Sequence, residues 1–340
     1  MSSVSTLSDL FDHAKLPFRI YHLGRRVMPC SRAHFRAFEE EKIAWESPFK
    51  GEARLALVID DPDGQVDQSR IWCLALPLDE QGQLQPAARD AFLRRLLEAG
   101  LEASLHSEED GQHDPMKDNP LAYAPDMMAR AMLHAWLCHD NSLPLSEAAQ
   151  HVARYIAAPT ADDAPEWSDL SVQGIADWTV QLTTEDKALL ATQLPQLEDH
   201  VVSALCQCLE HAPFQHEALA AALRTRTASD EPLRSLGLRA VIGTQTETAC
   251  QWLDTLLTQT PSVEALAIVS LRGWQHLEHA ERLPVFLEAL AAHPDINLRD
   301  SLRDLALIPR LRLPVIMALQ QASPASALGR RLSEMGLGRY

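Results

Sequence analysis

A chain of 340 residues with 46% hydrophobic side chains is long enough for two or three folded units with cores of their own. No run of about eighteen apolar residues occurs, which argues against a spanning helix, and the start MSSVSTLSDLFDHAKLPF has neither the basic nor the apolar region of a secretory signal. The net charge is −17, with 18 Asp and Glu against four Lys and Arg in residues 101–200, a balance that repels phosphate backbones and argues against nucleic acid as the partner.

In chain order, SDLFDHAK reads as a short helix capped by Ser8, with Asp9 in its first turn and Pro17 ending it. FRIYHLGRRVM alternates as a strand, with Phe18, Ile20 and His22 to one side, Arg19, Tyr21 and Leu23 to the other, until Gly24 interrupts it. SRAHFRAFEEEKIAW is a helix with Ser31 as cap and Phe35 and Phe38 on one face. EARLALVID and RIWCLALPL are near-continuous apolar strands joined by the polar turn DPDGQVDQS. QPAARDAFLRRLLEAG is a helix with Pro86 in its first turn and Gly100 after its end. Residues 1–106 thus form a small α+β domain of about three strands. A polar linker covers 107–120, and 121–340 is all-helical.

Inside the helical part the chain repeats itself. Cys206, Gln207 and Leu209 return as Cys250, Gln251 and Leu253 at an offset of 44, and Glu217 returns as Glu264 at 47. A fainter echo sets Phe286–Leu290 against Trp252–Leu256 at 34. Helix pairs at such periods mark helical solenoids, because one pair cannot bury its apolar faces alone. The expected architecture is therefore HEAT-like within 196–322. An irregular helical bundle is the alternative that the same periodicity allows.

The weak site candidates are Arg19, Arg25, Arg26 and Arg32, which cluster around Gly24 and a helix start and would suit an anion. No phosphate loop accompanies them, and pairing with Glu39 to Glu41 on a solvated face is the competing account. His134 and Cys138 lie one helical turn apart, with His139 adjacent, yet zinc needs three or four ligands and no CxxC or HxxxH supplies the rest. No GxSxG, HExxH or GxGxxG is present, and Asp60–Ser69 lacks the closing Glu of a calcium loop. No residue is assigned to catalysis, a cofactor or a metal. Six cysteines without framework spacing point to free thiols and a cytoplasmic location.

FRIYHLGRRV, with FRAFEEE and ARLALVI after it, resembles a bacterial family known only as a domain of unknown function, and the similarity runs over the full chain. It centres on Arg19, Tyr21, Gly24, Arg25 and Arg26. The resemblance implies a bacterial, cytoplasmic protein and carries no activity, cofactor or catalytic residue with it. The function expected is a non-enzymatic, protein-binding or scaffolding role on a helical-repeat surface. The alternative is an enzyme or ligand sensor that binds a small anionic molecule between the N-terminal domain and the helices.

Overall fold

The computed structural model describes residues 4–60, 69–99, 115–163 and 165–336. Most of the expected turn (61–68), Gly100 and part of the expected linker (107–114) lie outside the described residues. The fold is α+β. Its first compact unit is Met1–Ala129 with Leu307–Pro309, and its second is Arg130–Ala306 with Arg310–Tyr340.

The first unit opens with α1 (Leu7–Ala14). Its cap is Thr6, whose hydroxyl accepts from the Asp9 N–H while Asp9 answers to the Thr6 backbone, so the cap falls two residues before the expected Ser8. Ser8 lies inside the first turn. Its N–H, its hydroxyl and the Leu7 N–H all donate to the buried Glu39 carboxylate, at 3.0, 2.5 and 2.8 Å. Glu39 ends α2 (Arg32–Glu39), so it fastens one helix to the positive N-terminus of another.

Four strands follow where about three were expected: β1 (Phe18–His22), β2 (Met28–Cys30), β3 (Glu52–Ile59) and β4 (Arg70–Pro77). The sheet is antiparallel, in the order β2-β1-β3-β4. The added strand is the second half of FRIYHLGRRVMPC, which folds back so that Ile20 pairs with Cys30 and His22 with Met28. The reversal runs through Gly24, where a Cβ would come within 3.2 Å of the Ser47 carbonyl.

Residues paired across strands share a face. Ile20 pairs with Leu57 and Leu57 with Trp72, giving one apolar row across three strands. That face is packed by Phe11 of α1, Phe35 and Phe38 of α2, Trp45, and Phe92 of α3 (Pro86–Ala99). Residues 121–123 run beside β4, the Ala75 N–H donating to the Leu121 carbonyl at 2.8 Å and the Tyr123 N–H to Cys73 at 2.9 Å.

The second unit is helical in its described part. Most of α4 (Met127–Asp140) belongs to it, and α5 (Glu147–Ala157), α6 (Val172–Val180), α7 (Thr184–Gln193), α8 (Asp199–Leu209), α9 (Glu217–Arg226), α10 (Glu231–Val241), α11 (Glu247–Thr258), α12 (Val263–Arg272) and α13 (Arg282–Ala292) follow. Each helix from α5 to α11 packs against the one two places further on. One row therefore runs α5-α7-α9-α11-α13 and a second α6-α8-α10-α12. The chain continues through α14 (Leu298–Ala306), α15 (Pro309–Gln321) and α16 (Ala327–Glu334), the last packing on α13.

These rows explain which sequence echo is structural. The offsets of 44 and 47 set α8 against α11 and α9 against α12, helices of opposite rows. The fainter offset of 34 sets α11 against α13, neighbours in one row, and there Trp252 and Leu253 correspond to Phe286 and Leu287, all buried.

Candidate functional site

Of the four arginines singled out in the sequence, Arg19, Arg25 and Arg32 reach different acceptors. Arg19, on β1, pairs with Asp60, its Nε donating at 2.9 Å. Arg25 is fully buried, its Nε donating to the Pro48 carbonyl at 2.7 Å, and Arg26 is buried as well. Arg32 lies at the surface, donating to Asp12 at 2.6 Å with its guanidinium 4.2 Å from the centre of the Phe18 ring. Arg36 reaches the same Asp12, so α1 supplies a counter-charge to two arginines of α2.

Beside this segment lies a group that the sequence did not disclose. His22, buried on the core face of β1, stacks at 4.5 Å between ring centres on Trp45, which also meets Phe38 at 4.8 Å and His34 at 6.1 Å. His22 Nδ1, His34 Nε2 and Trp45 Nε1 are buried polar atoms with no hydrogen-bond partner. Burial, with the neighbouring His34, pushes the His22 imidazole down to about 4, so it is neutral near pH 7. The only trace in the sequence is a histidine at an inward position of a strand.

In the helical unit, His134 and Cys138 do meet, Nδ1 to Sγ at 3.7 Å. They belong to a polar network and not to a ligand set. Gln173 donates to Asp177 at 2.7 Å and lies 3.2 Å from His134, and the Ser146 hydroxyl, which caps α5, donates to Asp177 at 2.8 Å. Burial pushes the Asp177 carboxyl up, but hydrogen bonds with His134, Gln173 and Ser146 outweigh it and hold the group below its ordinary value. Among the described residues no three His, Cys, Asp or Glu are grouped to hold a metal ion.

A second network runs along one row. Glu210, buried just past the end of α8, accepts from Arg239 of α10 at 2.6 Å, from Arg272 of α12 at 3.0 Å, and lies 3.3 Å from His211. Burial alone would raise this carboxyl. The His211 hydrogen bond and the two guanidiniums reverse the shift and hold it well below the carboxylate range. The partners are 29 and 62 residues away in sequence, so no local spacing could reveal them.

At the surface the other row carries a ladder. The Gln215 Oε1 accepts from the Gln245 N–H, and the Gln245 amide donates to Gln275, each at 3.1 Å and thirty residues apart. Glu217 accepts from the Glu247 and Thr248 N–H groups at 2.8 and 2.9 Å, capping the next helix in its row.

One helix face is left open. On α15, Leu313, Ile316 and Met317 fall at i, i+3 and i+4 and are 64, 38 and 47% exposed, while Leu311 and Val315 are buried behind them. Between this helix and α16 lies a groove of about 680 Å³ lined by Ile316, Leu319, Gln320, Pro324 and Leu332. From 305 to 333 the chain has no Asp or Glu and four arginines, against an overall charge of −17.

No described helix is long and apolar enough to cross a membrane. Searches of the curated proteins and of the solved structures give no match to the chain. A family model does match, covering residues 2–335 and so including FRIYHLGRRV as well as the helical rows. The chain therefore belongs to the family described as protein of unknown function, DUF3549.

Proposed function

We propose that this is a non-enzymatic protein-binding or scaffolding protein that presents a HEAT-like helical-repeat surface to another protein. The observation that carries the reading is the α15 stripe, Leu313, Ile316 and Met317, exposed on one helix face. A contiguous exposed apolar stripe is unfavourable in water and is a recurring mark of protein contact sites. The two rows support the repeat reading, since each helix buries its apolar face on the next but one. The acid-free stretch from 305 to 333 removes the like-charge repulsion that the rest of the chain would impose on an acidic partner. Free thiols at all six cysteines fit a cytoplasmic location.

The test is capture from a native lysate by the full chain and by a triple variant, Leu313→Asp, Ile316→Asp and Met317→Asp. We expect wild type to retain a stoichiometric partner and the variant to lose it, with unchanged far-UV circular dichroism and melting temperature. Equal capture by both proteins, or capture of chaperones alone, overturns the reading.

A further inference from the structure

We propose that Cys250 is a reactive thiol, a modification site for small peroxides framed by His276, Arg282 and Asp254. Cys250 is half-buried on α11, in the wall of a cavity of about 710 Å³ lined also by Asp254, Leu257, His279, Arg282 and Val285. His276 comes from the short helical turn Trp274–Glu278, and Arg282 opens α13.

The tautomer of His276 follows from its partners. Its Nε2 lies 3.0 Å from the Ile242 carbonyl and 2.9 Å from the Thr244 carbonyl. Carbonyls only accept, so Nε2 carries the hydrogen. Burial, opposed by the bond to Thr244, leaves this imidazole below its ordinary value and hence neutral near pH 7. The lone pair is then on Nδ1, which faces the Cys250 Sγ at 3.7 Å. Main-chain carbonyls thus orient the ring as a third group orients the base in nucleophilic catalysis.

On the other side of the sulfur, Arg282 Nη1 approaches to 3.9 Å. The guanidinium is held by two bonds to Asp254, Nε to Oδ1 at 2.7 Å and Nη2 to Oδ2 at 2.9 Å. A proton acceptor thus lies on one side of the sulfur and a fixed cation on the other, the surroundings in which a cysteine serves as a nucleophile. The other thiols differ. Burial pushes Cys30 and Cys206 up to about 12, Cys73 up to about 11, and Cys208 up as well. Cys73 is half-buried like Cys250 but pushed up by burial, which makes it the internal control.

The step is a two-electron oxidation of sulfur by hydrogen peroxide or an alkyl hydroperoxide. The Cys250 proton moves to His276 Nδ1, and the thiolate attacks one peroxide oxygen. The S–O bond forms as the O–O bond breaks. The departing oxygen takes the proton back from His276 and leaves as water or an alcohol. Sulfur ends as sulfenic acid and the peroxide is reduced.

The full-length protein is treated with iodoacetamide near pH 7, and labelling is followed cysteine by cysteine by mass spectrometry. Cys250 should react about tenfold or more faster than Cys73. Hydrogen peroxide followed by dimedone should place the sulfenic-acid adduct on Cys250. His276→Gln keeps a donor for the two carbonyls but removes the Nδ1 acceptor, and it should slow Cys250 labelling about tenfold. Arg282→Lys, milder to the fold than loss of the charge, should slow it less. The rate is read against pH, since Asp254, His279, Glu281 and Arg282 line the cavity and the buried His276 touches the sulfur. A Cys250 that reacts no faster than Cys73, or as fast in His276→Gln as in wild type, overturns the proposal. Fast alkylation without a dimedone adduct overturns the peroxide assignment.

Discussion

His22 shows how a single residue ties stability to acidity. It stands on the buried face of β1 against Trp45, with its imidazole pushed down to about 4 from an ordinary 6.5. Between those values the unfolded chain binds a proton that the folded chain does not, so stability is full above about 6.5 and falls as the pH drops towards 4. The shift corresponds to about 3 kcal/mol. His22→Leu should remove this limb. Between about pH 7 and pH 4.5 the variant should lose about 2–3 kcal/mol less than wild type in urea unfolding. Equal losses would show that His22 is not the group responsible. Glu210 works with the opposite chemistry and the same sign, since a carboxyl held low by Arg239 and Arg272 supports the fold only while it is ionised. The alternation of FRIYH places His22 inward, but nothing local says that its neighbours would be His34 and Trp45. Those contacts arise from the closure of α2 and the following loop over the sheet.

At the scale of elements, most boundaries were legible because caps and periodicity are local. Ser31 caps α2 as expected and Ser146 caps α5, their hydroxyls accepting from His34 and Ala149. Ser8 lost to Thr6 because the capping box needs its acid at the third helical position, which Asp9 supplies only when Thr6 is the cap. β2 was not read as a strand of its own, since a glycine that interrupts an alternating run looks the same as a bulge or as a reversal. The helix-to-helix distances were less legible. At Gly174 of α6, a Cβ would stand 2.8 Å from the carbonyl carbon and oxygen of Ala148 in α5. Those atoms belong to backbone and cannot rotate away. Gly174→Ala should therefore cost about 1–3 kcal/mol, read as a lower urea midpoint with an unchanged slope. An unaltered midpoint would mean that the α5–α6 contact is looser than this geometry.

For the whole molecule, the two compact units differ in how their cores are made. The first gathers one cluster around the sheet, Phe11, Phe35, Phe38, Trp45, Trp72 and Phe92 among it. The second distributes its burial along two rows in which each helix meets near neighbours. Units with separate cores, one of them spread along two rows of helices, need not unfold as one. Urea unfolding should give one midpoint for helix content by far-UV circular dichroism and another for hydrogen exchange at the β1, β3 and β4 amides. Coincident midpoints would show a single cooperative unit.

Helix and strand identity, the α+β order and the apolar stripes were determined by the sequence alone, because they depend on residues within four places of one another. The thirty-residue spacing, the union of Glu210 with Arg239 and Arg272, and the meeting of Cys250 with His276 and Arg282 were decided by tertiary structure. Each joins side chains 26 to 62 residues apart. Such pairs are set by which helix packs on which, and helix packing depends on shape complementarity between whole faces, which no local pattern encodes.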